Sequence, residues 1–119
     1  MSSTVYFPKT DKYPYTRQWN LEDIWKSTKD FQKKKILVSN LWDARYAQEW
    51  CWQHEGETIS NKFFLHHMQR VLTADLSYPI ILSEENLIFD GVHRLMKAKH
   101  LGLEYIDCVQ FTKDPTPKE

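Results

Sequence analysis

Between Pro79 and Phe111 the hydrophobic period of this chain switches repeatedly between strand and helix, and that alternation restricts it to a mixed α and β fold. Pro79-Ile80-Ile81-Leu82 and Leu87-Ile88-Phe89 are short apolar runs on either side of a polar Ser83-Glu84-Glu85-Asn86 turn, the pattern of a hairpin. Asp90-Gly91 then ends the second run. The spacing predicts a helix from Val92 to Leu101, with Leu95, Met96 and Ala98 inward and Gly102 as its C-cap. Tyr105 to Phe111 alternates as a last strand. Gly56, Gly91 and Gly102 are the only three glycines in 119 residues. Each should mark a place where the backbone turns left-handed or something approaches with no side chain in the way.

Elsewhere the pattern is more helical. Residues 61–74 carry Phe64, Leu65, Met68, Val71 and Leu72 at the spacing of a core-facing stripe. Asn20 stands where a helix N-cap is expected, with Glu22 and Asp23 in the first turn, and that helix would bury Leu21, Ile24, Trp25 and Phe31 and stop before Lys33. Ile36-Leu37-Val38 is of strand type. A further helix should begin around Asp43, carrying Tyr46, Ala47, Trp50 and Cys51 on one face, and Gly56 falls in a loop. Pro8 and Pro14 break residues 1–19 into an irregular arm whose rings, Tyr6, Phe7, Tyr13, Tyr15 and Trp19, would lie across the domain. Residues 112–119, with Pro115 and Pro117, read as a loose tail. The expectation for residues 1–119 is one small α+β domain, a mixed short-stranded sheet packed against helices. At this length folding removes about two-thirds of the unfolded surface from water, enough for one core.

Charge and composition exclude several classes. Sixteen basic side chains balance 16 acidic ones and the sequence pI is about 7.0, so nucleic acid, which is held by releasing counterions from basic surfaces, is not the expected partner. Lys33-Lys34-Lys35 then reads as a solvated face. No apolar run approaches the roughly 18 residues that span a bilayer, and no signal-like segment opens the chain, so a cytoplasmic location without membrane contact is expected. Cys51 and Cys108 accordingly read as reduced thiols. Cys51 and His54 could reach one zinc ion, but no second ligand pair is evident. His66 and His67 point about 100° apart on a helix, which leaves His67 as a core or boundary histidine. The five tryptophans suit core and arm packing, yet Trp50 and Trp52 cannot both face one way on a helix, so an aromatic surface for a protein partner is also expected.

The chemistry concentrates in Leu87-Ile-Phe-Asp-Gly-Val-His-Arg94, a strand running through Asp-Gly into a helix start. A helix N-terminus presents free amide N–H groups and a positive dipole end, which attract phosphate or carboxylate. Gly91 would let the backbone approach such an anion; His93 and Arg94 would add donors, and an arginine fork suits phosphate oxygens. Asp90 has other uses: holding a metal ion, orienting His93 or accepting a proton. The alternative is a plain strand–turn–helix corner with Asp90 as N-cap and Arg94 in a surface pair.

Asp90-Gly91-Val92-His93-Arg94, with the hydrophobic strand before it and the helix ending in Leu101-Gly102 after it, resembles the signature of the ParB/sulfiredoxin superfamily. The likeness extends back through Arg70 to Leu82 and forward to Phe111, about 50 residues, and is loose over the first 55. It implies a loop at Gly91, Val92, His93 and Arg94 that binds the phosphates of a nucleoside triphosphate or diphosphate, with Asp90 as a metal or catalytic partner and Mg²⁺ arriving with the triphosphate. Val92 stands where sulfiredoxins carry their cysteine, so peroxiredoxin repair is not expected. ParB proteins continue into a DNA-binding domain, whereas this chain ends about eight residues after its last strand. Free-serine kinases of the superfamily carry Asp-Gly-His-His-Arg, with His where Val92 stands, which leaves phosphotransfer open. A kinase needs a base near the acceptor hydroxyl. Asp75 is the first candidate, its alternative being to satisfy the tight turn before Pro79; Asp43 and Glu49 are weaker ones. Tyr78 is expected either to stack on a base or line the pocket, or simply to pack. The expected function is binding of a nucleotide or another phosphorylated small molecule, either as an NTP-dependent phosphotransferase or hydrolase with His93 and Arg94 at the phosphoryl group, or as a non-enzymatic sensing or protein-interaction module, with ParB-like DNA binding a distant third.

Overall fold

Neighbouring residues on a strand point to opposite faces, and in this chain that alternation divides the core in two. The computed structural model describes residues 3–42, 46–47 and 59–118. Its strands are β1 (Thr4–Phe7), β2 (Arg17–Asn20), β3 (Lys34–Leu37), β4 (Ile80–Leu82), β5 (Ile88–Asp90) and β6 (Tyr105–Gln110); its helices are α1 (Leu21–Ser27), α2 (Val38–Leu41), α3 (Asn61–Thr73) and α4 (Val92–His100). The four-stranded sheet runs β3-β6-β4-β5, antiparallel except for the parallel pair β4 and β6. The α+β class and the short-stranded mixed sheet are as the sequence predicts.

Ile80, Leu82, Ile88, Ile106 and Cys108 pack on one face with Val38 and Leu41 of α2 and Leu95 and Ala98 of α4. Ile81, Phe89, Val109 and Phe111 pack on the other with Phe7, Trp19 and Ile24. Each such side chain taken fully from water contributes about 1.5–3 kcal/mol, so both layers hold the sheet. No helix among the described residues is long and apolar enough to cross a membrane. Cys108 is a free thiol, and burial pushes its pKa up.

Both ends of the chain are more ordered than their prolines suggest. Instead of an irregular arm, β1 and β2 form an antiparallel pair, Phe7 opposite Arg17 and Val5 opposite Trp19, with Pro8 and Pro14 in the connection. The tail is tied down as well. Asp114 is buried, accepting hydrogen bonds from the Arg17 guanidinium at 3.0 Å and the Glu84 amide at 2.8 Å; Trp19 Nε1 donates to the Pro115 carbonyl and the Lys118 amide to that of Gln18.

Helix faces also differ from expectation. In α1 only Ile24 is buried; Trp25 is 50% exposed, and Phe31 lies beyond the helix end. Asn20 holds the N-cap position but makes no side-chain cap; its Oδ1 accepts instead from Lys118 Nζ. The apolar stripe of α3, Phe64, Leu65, Met68 and Leu72, is exposed, and His67 and Val71 are the buried residues. His67 meets His93 of α4 at 2.9 Å. Val38 opens α2 rather than extending β3. The predicted face at Asp43, Trp50 and Cys51, the loop at Gly56, and Glu49, Trp52 and His54 lie outside the described residues; Tyr46 of that group is buried and its hydroxyl accepts from the Ile88 amide at 2.7 Å.

Candidate functional site

The hairpin that delivers the site is closed by turn chemistry. Ser83 N–H donates to the Leu87 carbonyl at 2.7 Å, Ser83 Oγ accepts from the Glu85 and Leu87 amides, and Asn86 takes a left-handed φ of 64°. β5 then runs directly into α4 through Gly91, whose φ is 115°. A Cβ on Gly91 would stand 2.5 Å from Ile80 Cγ2. Contact with β4 therefore demands glycine here, and the direction in which a ligand was expected to profit from the missing side chain is filled by Ile80. Gly102, φ 72°, has nothing within 4 Å of such a Cβ. It closes α4 as expected: the Gly102 amide bonds to the Lys99 carbonyl and the Leu103 amide to that of Ala98, a Schellman motif.

Above this junction lies a cleft of about 210 Å³ between the end of α3, the turn after it and the start of α4. Arg70, Asp75, Tyr78, Asp90, Gly91, His93 and Arg94 line it, so six of the residues singled out in the sequence converge on one opening. Val92 does not line it; its side chain packs against the helix-side core. Arg94 Nη1 donates to the Pro79 carbonyl at 3.1 Å and lies 3.9 Å from Asp90 Oδ2, and the guanidinium carbon is 6.0 Å from the centre of the Tyr78 ring. Its side chain is 24% exposed. Lys97 Nζ donates to the Ala74 carbonyl at 2.7 Å, so α4 pins the turn that carries Asp75 and Tyr78 from two points.

His93 enters the cleft as a neutral ring. Its Nε2 shares a proton with His67 Nδ1 at 2.9 Å, and the two rings stack with centroids 5.1 Å apart. Burial, with Arg70 and His67 adding repulsion, pushes His93 down to about 4; burial also lowers His67. One imidazole must donate and the other accept. The positive charge facing an anion therefore comes from Arg70 and Arg94, while His93 offers hydrogen bonding.

The carboxylates are engaged. Asp75 Oδ1 accepts from the Ser77 amide at 2.9 Å and the Ser77 hydroxyl at 2.7 Å, bonds that hold its pKa below the usual carboxylate range. This is the turn-satisfying role, although Asp75 still lines the cleft. Asp90 caps no helix: Gly91 occupies the N-cap position, and Asp90 Oδ2 accepts from Trp25 Nε1 at 2.9 Å. Among the described residues no group of three or more His, Cys, Asp or Glu side chains could hold a metal ion. Asp75 and Asp90 both line the cleft, and each already accepts a hydrogen bond from a side chain, Ser77 and Trp25.

A second cleft of about 430 Å³ adjoins the first, sharing Tyr78, Asp90 and Arg94 with it. Trp25, Phe31, Pro79, Lys29 and Lys33 contribute to it from the first third of the chain and from β4's entry. Sequence reasoning missed Arg70 and Trp25 as site residues. Arg70 left a faint signal, a cation on the last turns of a helix that leads into Asp75; Trp25 left none, because its place depends on contacts 65 residues away. Comparison with protein-family models, with curated proteins and with solved structures finds no match.

Proposed function

We propose that this protein binds a nucleotide, or another phosphorylated small molecule, in the cleft lined by Gly91, His93 and Arg94. One observation carries the reading: Arg70, Arg94 and the start of α4 at Gly91 and His93 line the same opening, and His93 is neutral. Backbone amides at a helix start and arginine forks are the donors that phosphate oxygens take. The resemblance to the ParB/sulfiredoxin superfamily agrees with this ligand class, and the free buried thiol of Cys108 agrees with a cytoplasmic setting.

In the enzymatic form of this reading the protein is an NTP-dependent phosphotransferase or hydrolase. Arg94 and Arg70 stabilise charge on the transferring phosphoryl group, His93 donates a hydrogen bond to it, and Asp90 or Asp75 stands toward the metal or the acceptor hydroxyl. A second reading, a non-enzymatic nucleotide sensor, is favoured by the engagement of both carboxylates, Asp75 by Ser77 and Asp90 by Trp25. A thermal-shift screen of nucleoside di- and triphosphates, with and without Mg²⁺, tests the binding. A ligand present at 100 times its Kd adds about 2.7 kcal/mol, and Arg94→Ala should abolish most of that shift. Absence of any shift with phosphorylated ligands would overturn the proposal. Product analysis of the nucleotide that binds, with serine or water as acceptor, then separates transfer, hydrolysis and sensing.

A further inference from the structure

The second cleft is wider than the phosphate cleft and lined differently. Its walls are the Trp25 indole, Phe31, Pro79, Ile81 and Val109, with Lys29 and Lys33 at its edge. Trp25 is half exposed, and its Nε1 donates to Asp90 Oδ2 at 2.9 Å. That bond occupies the indole edge, so the ring is held in place while half of the residue stays open to solvent. Arg94, Asp90 and Tyr78 belong to both clefts, so a molecule occupying one meets the wall of the other. Lys29, Lys33 and Arg94 outnumber Asp90 around the second opening, a balance that suits a ligand carrying negative charge.

Resting on the phosphate-binding reading, we propose that the ligand is a nucleotide and that its base lies in this second cleft against Trp25. The phosphates extend over Arg94 into the cleft above Gly91. A flat aromatic ring suits a cleft lined by Trp25, Phe31 and Pro79, and stacking on aromatic side chains tolerates any base. α1 then supplies the specificity for a nucleotide over a bare phosphate, and Asp90 borders both halves, accepting from Trp25 and lying 3.9 Å from Arg94.

Calorimetric titration of the full chain with inorganic tripolyphosphate and with ATP, GTP, CTP and UTP tests this. At least one nucleotide should bind about tenfold tighter than tripolyphosphate, the gain that base stacking provides. Trp25→Ala should remove that gain and leave tripolyphosphate affinity within about twofold, Trp25→Phe should keep most of it, and Arg94→Ala should weaken both ligands. If tripolyphosphate binds and every nucleotide binds no better, or if Trp25→Phe loses as much as Trp25→Ala, the base seat is overturned and the phosphate site stands. If neither tripolyphosphate nor nucleotide binds, the phosphate reading itself fails and this inference with it. Melting curves of each variant show whether a loss is one of folding.

Discussion

Arg17 and Arg94 both reach an aspartate, Asp114 and Asp90, but at 3.0 Å and 3.9 Å and at different depths. The Arg17 and Asp114 side chains are 1% and 2% exposed, and the guanidinium also lies 3.6 Å from the Tyr13 ring centre and 3.7 Å from Glu85. Its Nε and Nη2 have no hydrogen-bond partner among the described residues, so the group is held by charge and by aromatic faces rather than by a full set of bonds. Around it Glu84 takes the Tyr13 hydroxyl, which is pushed up to about 12 chiefly by that bond. Arg94 makes one hydrogen bond to a carbonyl and a loose contact to Asp90, and stays 24% exposed. One arginine is consumed in joining the two ends of the chain; the other has charge left for a ligand.

Arg17→Ala should break this contrast most visibly. Removing one partner of a buried ion pair strands the other, a cost of about 3–5 kcal/mol, and urea unfolding should show it as a large fall in midpoint. Arg94→Ala, by the same measurement, should cost about 1 kcal/mol or less. Equal losses would mean that Arg94 too is structural. The glycines offer a smaller contrast of the same kind. Gly91→Ala drives a Cβ into Ile80 at a positive φ and should cost about 2–4 kcal/mol. Gly102→Ala, in open space, should cost about 1 kcal/mol, the backbone strain alone.

Acid separates the two regions again. An unfolded histidine titrates near 6.5 and folded His93 at about 4. Between those values the unfolded chain takes up a proton that the folded site refuses, so this contribution is complete above pH 6.5 and is lost as pH falls toward 4. Melting temperatures measured from pH 7 to 4.5 should therefore fall less steeply in His93→Gln than in the wild type. An unchanged slope would mean that the proton shared with His67 does not govern the site.

The same comparison explains what the sequence revealed. The Gly91 junction was legible because its signals are local: two apolar runs about a polar turn, a glycine, then a helical period. The Arg17 cluster was not, since it joins residues 97 positions apart and no local propensity marks β1, β2 or the tail as partners. The stripe on α3 misled for a related reason. Periodicity identifies an apolar face but not what the neighbouring element presents, and α4 presents His93 to His67. Within the site, the residues of the motif were found together, whereas Trp25 and Arg70 arrive from other elements and needed the fold.

The proposed anion belongs at the Gly91 junction and not at some other basic patch. Titrating ¹⁵N-labelled protein with inorganic tripolyphosphate and following backbone amide shifts reads this residue by residue. The account predicts saturable changes centred on Gly91, Val92, His93 and Arg94 and lost in Arg94→Ala, with Arg17 and Asp114 unmoved. Shifts confined to Lys33-Lys34-Lys35, or none at the junction, would contradict it.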